Sequence, residues 1–148
     1  MSRTIQTEIL LPASPERVWA VLTDFKRYPE WNPFVREIKG QARDGEELCI
    51  RLAPRLSWTV PFCARVVACK ESKAFAWAGG PKCLLHGQHY FDLQASTDGR
   101  ETRLVHGEIF SGLLARPLLW MLGDPARGYA AMNEALRRQL AAAPSDAG

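Results

Sequence analysis

The chain has 148 residues, 47% hydrophobic and 24% charged, with 19 Lys and Arg against 16 Asp and Glu for a formal net charge of +3. A globule of this size buries about 68–70% of the surface its unfolded chain exposes, so a single domain over residues 1–143 is expected, with a flexible tail at 144–148. The basic residues are scattered along the chain, which argues against a nucleic-acid face.

The opening "MSRTIQTEILLPASPE" lacks the apolar run of a signal peptide. No stretch reaches the roughly 18 apolar residues that span a bilayer, so a soluble cytoplasmic protein without stable membrane insertion is expected. Cys49, Cys63, Cys69 and Cys83 form no C-x-x-C pair and have no nearby His at ligand spacing, so they read as free thiols rather than zinc ligands.

In chain order, residues 4–11 put Ile5, Thr7, Ile9 and Leu11 on one face and Gln6 and Glu8 on the other, the pattern of a half-exposed strand. "ASPERVWAVLTDF" follows as a short amphipathic helix, with Ser14 as N-cap, Pro15 at the first helical position and Val18, Val21, Leu22 and Phe25 at helical spacing. "DFKRYPEWNPF" holds two prolines among its aromatics and reads as a helical turn and loop. Trp31 and Phe34 on this loop are candidates for a cavity mouth.

Turn signals then recur at Asp44-Gly45, Pro54, Gly79-Gly80-Pro81 and Asp98-Gly99. They separate alternating runs read as strands near 35–40, 46–53, 57–69, 72–79, 84–95 and 101–110, which short connections pair as an antiparallel meander. "LLARPLLWMLG" at 113–123 is an apolar lead-in to the last helix, with a break suggested by Pro117 and Asp124-Pro125. A lid, or a surface touching lipid during ligand exchange, is its functional alternative. Asp124 as cap and a stripe of Tyr129, Met132, Leu136 and Leu140 then mark a long C-terminal helix over about 125–141.

The result is an α+β chain: a curved seven-stranded antiparallel sheet around one long helix, with short helices between its first two strands. One helix cannot cover such a sheet, which leaves room for a cavity of about 300–1,000 Å³. Alternation puts Leu48, Ile50 and Leu52 on the inner face, with Trp58, Val60, Phe62, Ala64 and Val66 on the next strand. Phe75, Trp77, His89, Phe91 and Leu93 follow, then Leu104, His106, Glu108 and Phe110. Arg103, Val105 and Ile109 should face away, unless Gly107 marks a bulge that resets the order.

The expected cavity walls are Trp58, Phe62, Trp77, Phe91, Phe110 and Met132. His89, His106 and Glu108 form an unusual polar group on this apolar face, and Asn133 on the helix is placed to join it. They are candidates for contact with a ligand's oxygens, for acid–base catalysis, or for a satisfied structural cluster. No nucleophile, metal or cofactor motif accompanies them; neither Ser111 nor Cys83 sits in an activating context, and zinc lacks a helix-borne spacing motif.

Five stretches carry a resemblance: "ASPERVWAVLTDFKRYPEWNPFVREIKG" at 13–40, "FAWAGG" at 75–80, "GQHYFDL" at 87–93, "TRLVHGEIFSGLL" at 102–114 and "GYAAMNEALRRQL" at 128–140. In this order they resemble the START-like helix-grip superfamily, also called SRPBCC, and its polyketide cyclase/dehydrase and lipid-transport branch. The resemblance implies a sheet gripping the C-terminal helix with a ligand between them, and it carries over no catalytic residue. Cys83 and His86 stand where the family keeps a shorter apolar turn. Three functions fit: a binder or carrier of a small hydrophobic lipid, aromatic or polyketide-like molecule, a cofactor-free cyclase or dehydratase using the His/Glu group, or an interaction module with a vestigial cavity.

Overall fold

The computed structural model describes residues 2–55, 58–122 and 124–142, without the side chains at 54, 55, 58 and 122. Strand β1 (Ser2–Leu11) leads into helix α1 (Pro15–Thr23), a 3-10 turn (Phe25–Arg27) and the one-turn helix α2 (Tyr28–Trp31). Strands β2 (Val35–Lys39), β3 (Glu47–Arg55), β4 (Trp58–Lys70), β5 (Ala74–Gly79), β6 (His86–Ala95) and β7 (Thr102–Ser111) follow, and then helices α3 (Ala115–Leu122) and α4 (Ala126–Ala142). The expected tail at 144–148 lies outside the described residues.

Short turns make β2 to β7 a meander, and β1 returns to pair with β7, giving the antiparallel order β1-β7-β6-β5-β4-β3-β2. Gly45, Gly80 and Gly99 take the positive φ that those turns need. Helix α1 starts where Ser14 accepts from the Arg17 amide and Pro15 needs no donor. Asp124 Oδ1 accepts from the Ala126 amide at 3.0 Å and starts α4 in the same manner. Tyr129, Met132, Asn133, Leu136 and Leu140 then form the buried stripe of α4.

The pairing of β7 runs unbroken through Gly107 on both sides, so alternation holds along the whole strand. Leu104 and His106 are buried, Glu108 and Phe110 half-buried, and Arg103 pairs with Glu8 on the opposite face. A register shift lies elsewhere, between Val66 and Ala68 of β4. Beyond it odd-numbered residues turn inward, and Cys69 packs against the core. All four cysteines are free.

The lead-in at 113–123 differs from expectation. Pro117 does not break it: it is the third residue of α3, within the first turn, where a missing amide costs nothing. The break falls later, before α4. Only one side of α3 is covered: Leu119 is buried while Trp120 is 88% exposed. Among the described residues no helix is long and apolar enough to cross a membrane.

Candidate functional site

Two adjacent rows across the sheet build the site. In one, Thr7, His106, Phe91 and Phe75 are successive cross-strand partners; in the next, Ile5, Glu108, His89 and Trp77 are. Because residues opposite each other on one face touch, the register alone stacks Phe91 on His106, with centroids 4.4 Å apart, and Trp77 flat on His89 at 4.7 Å and 7°.

The polar atoms in these rows form one chain. Glu108 Oε1 lies 2.9 Å from His89 Nδ1, His89 Nε2 lies 2.6 Å from His106 Nε2, and His106 Nδ1 lies 2.7 Å from Asn133 Oδ1. Asn133 Nδ2 donates to Thr7 Oγ1, and Thr7 donates to the His106 carbonyl, both at 2.8 Å. The Tyr129 hydroxyl, one helical turn before Asn133, donates to Glu108 Oε1 at 3.0 Å.

Burial first, and then repulsion from His89, hold His106 well below its ordinary pKa, with the Asn133 contact acting in the opposite direction. Burial, followed by the neighbouring Glu108 carboxyl, pushes the Tyr129 phenol up, so it stays a donor. The 2.6 Å contact between the two imidazoles leaves no room for an ion between them. Among the described residues no group of three His, Cys, Asp or Glu side chains is placed to hold a metal.

Above this chain lies a cavity of about 880 Å³, at the N-terminal end of α4. Its walls are Leu52, Val60 and Phe62 from β3 and β4, Trp77, Gly79, Gly80, Leu85 and Gly87 around the β5–β6 turn, and Phe110 from β7. Cys63 of β4, Phe34 before β2, Leu118 and Leu119 of α3, and Asp124, Pro125, Arg127, Gly128 and Tyr129 also line it. Glu108 ends the polar chain at this space, and Tyr129, which donates to it, borders the cavity as well.

Several expected site residues lie elsewhere. Phe91 and Met132 are fully packed in the core and do not line the cavity, because α4 presses on the sheet from Met132 onward and the gap opens only toward its first turns. His89, His106 and Asn133 are buried behind Trp77, Tyr129 and Glu108 and line none of it. Trp31 packs on Tyr28 at 5.2 Å instead of at a mouth. Phe34, Phe62, Trp77, Glu108 and Phe110 are in the wall, and the Trp58 side chain lies outside the described residues.

Tyr129 and Thr7 are not among the expected site residues, whereas Leu118 and Leu119 belong to the 113–123 run whose functional alternative is a lid. Tyr129 was findable, since it stands four residues before Asn133 on one helix face, and Thr7 was on the inner face of β1.

A curved antiparallel sheet closed by a C-terminal helix over an apolar cavity defines a helix-grip protein. The chain belongs to the family described as "Polyketide cyclase / dehydrase and lipid transport", whose model matches residues 2–143. Its fold is similar to a START superfamily protein from Mycobacterium smegmatis, at 16% identity and a TM-score of 0.74 over 93% of this chain and 97% of that one. It is equally similar to the Zhui aromatase/cyclase from a Streptomyces species, at 15% identity and 0.74 over 95% and 94%. Norcoclaurine synthase from Thalictrum flavum, in complex with dopamine and hydroxybenzaldehyde, matches at 12% identity and 0.68 over 95% and 87%. No curated protein sequence matches the chain.

Proposed function

We propose that this protein binds and carries a small hydrophobic molecule in the cavity between the sheet and the first turns of α4, with Glu108 as the ligand's polar contact. The observation that carries this reading is the cavity itself: about 880 Å³, walled mostly by apolar and aromatic side chains, with a carboxyl group at its inner surface. That is the make-up of a ligand site, where apolar walls supply affinity and a few polar groups set orientation. We also infer that residues 1–143 act as one domain.

Native mass spectrometry of protein purified from its own host tests the reading. A co-purifying apolar molecule of a few hundred daltons, lost from a variant whose cavity is filled by Val60→Trp, is the expected result. Protein that is consistently ligand-free, and that binds no member of a panel of aromatic and aliphatic compounds, would overturn it.

A second reading has its own observation. Glu108 is joined to two imidazoles in series, and such an array can hold a proton for enolisation or dehydration of a bound polyketide-like compound without a cofactor. The interaction-module reading fits least, because a vestigial cavity has no need of a buried polar chain ending at its wall.

A further inference from the structure

The directions of the hydrogen bonds in the polar chain can be counted outward from Thr7. Its hydroxyl has one proton, and the contact with the His106 main-chain oxygen uses it. The contact between Thr7 Oγ1 and Asn133 is therefore a donation from Asn133 Nδ2, which turns Asn133 Oδ1 toward His106. An amide oxygen only accepts, so His106 carries its proton on Nδ1. Fully buried and faced by His89, His106 is neutral, and its Nε2 is a bare lone pair. His89 must then donate from Nε2 across the 2.6 Å gap.

One contact remains. His89 Nδ1 and Glu108 Oε1, 2.9 Å apart, need a single proton between them. It sits either on the imidazole, giving an imidazolium–carboxylate pair, or on Oε1, giving a neutral imidazole and an acid. In both arrangements the pair is neutral overall. In both, Glu108 Oε2 carries only lone pairs. The Tyr129 hydroxyl spends its proton on Oε1 too, and among the described residues no donor reaches Oε2. This atom lies beside Gly87, where a Cβ would stand 2.4 Å from it, and Glu108 and Gly87 both line the cavity.

From this count we propose that the cavity selects ligands that present a neutral hydrogen-bond donor, a phenol or alcohol hydroxyl, to Glu108 Oε2. The proposal rests on the carrier reading and narrows its ligand class. An ether in the same place leaves Oε2 buried without a donor, which costs far more than the bond itself gains. An ammonium group would satisfy the oxygen but would be stripped of water against a pair with no net charge to oppose it.

Isothermal titration calorimetry with para-pentylphenol and its methyl ether tests this, since the ether loses the donor and gains one methyl group, whose own effect the Glu108→Met variant reports. The wild type should bind the phenol at least about tenfold more tightly, the scale of one unsatisfied buried acceptor. Glu108→Met, which keeps length and removes both oxygens, should bring the two affinities within about threefold of each other. If that variant does not fold, the wild-type pair alone decides. Equal affinity of wild type for both probes would overturn the donor rule and leave the carrier reading standing. Binding of neither probe would overturn the rule for this ligand class and count against the carrier reading itself.

Discussion

His89 and His106 face each other through their Nε2 atoms at 2.6 Å, and a gap of that length holds one proton and no more. Two buried imidazoles in this arrangement cannot both be charged. The ordering of protons along the chain follows from this contact and from the Thr7 hydroxyl that ends it.

The first consequence is a pH dependence. His106 lies well below its ordinary 6.5 because burial penalises its charge, and the side chains facing it are His89, Phe91, Tyr129 and Asn133, none of them anionic. As pH falls through about 6.5 the unfolded chain takes up a proton that folded His106 refuses, so its share of stability falls by up to about 1.4 kcal/mol per pH unit. Above that pH both forms are neutral and the effect vanishes. Nitrogen-detected NMR of the imidazoles should show His106 as the Nδ1–H tautomer, unchanged as the pH falls through 6.5. A titration of His106 near 6.5 would contradict it.

Asn133→Leu should separate the structural role of the chain from ligand contact. The substitution leaves the His106 Nδ1–H and the Thr7 hydroxyl short of partners in a buried site, a loss of about 1–3 kcal/mol. Asn133 does not line the cavity, so affinity for a bound ligand should change much less than the urea midpoint does. A variant as stable as the wild type would mean that the chain adds nothing to folding.

A different outcome is expected at Gly128, in the first turn of α4. A Cβ there would stand 2.5 Å from the Phe34 ring, which lines the cavity and has that empty space to turn into. Alanine is the better helix former by about 1 kcal/mol, which offsets the cost of moving the ring. Gly128→Ala should therefore leave the thermal midpoint nearly unchanged while weakening ligand binding several-fold. Unchanged binding would show that Phe34 does not move into the ligand's space.

The exposed and covered sides of α3 allow a paired test. Trp120, 88% exposed, should tolerate replacement by Ser within about 0.5 kcal/mol, whereas Leu119→Ala removes a buried side chain from the cavity wall and should cost more than 1 kcal/mol. Chemical denaturation of both variants checks the contrast.

These residues also show what a sequence reveals. Alternation assigned His89, His106 and Glu108 to the inner face correctly, because the pairing of β7 runs through Gly107 without a bulge. Period two reports the face, but it carries no information about depth. His106 and Phe91 share a row, and so do Glu108 and His89, yet only Glu108 of the four borders the cavity. That depends on where α4 lifts from the sheet, a tertiary fact set by Phe34, Tyr129 and the turn before α4. The shift after Val66 was equally hidden, since no glycine or proline marks it. The apolar run at 113–123 showed its hydrophobicity and not which side of α3 would be covered.

Glu108→Gln distinguishes carrier from catalyst. The glutamine amide can supply, as an N–H to His89 Nδ1, the one proton that the glutamate pair must share; its oxygen then faces the cavity, and Tyr129, which donated to Oε1, accepts the second amide N–H instead. A hydroxyl ligand still meets an acceptor, so a carrier should hold its ligand within about tenfold of the wild type, a loss near 1.4 kcal/mol or less. The proton itself is no longer transferable. His106→Asn acts one step further back, through His89, since His106 does not reach the cavity. An enzyme that used Glu108 as acid or base should lose at least about a hundredfold in turnover in Glu108→Gln while binding its substrate. With matched calorimetry and product analysis on the same compounds, the carrier reading expects intact ligand from wild type and both variants. Conversion by wild type that disappears in Glu108→Gln, with binding retained, would make the polar chain a catalytic device and overturn the carrier reading.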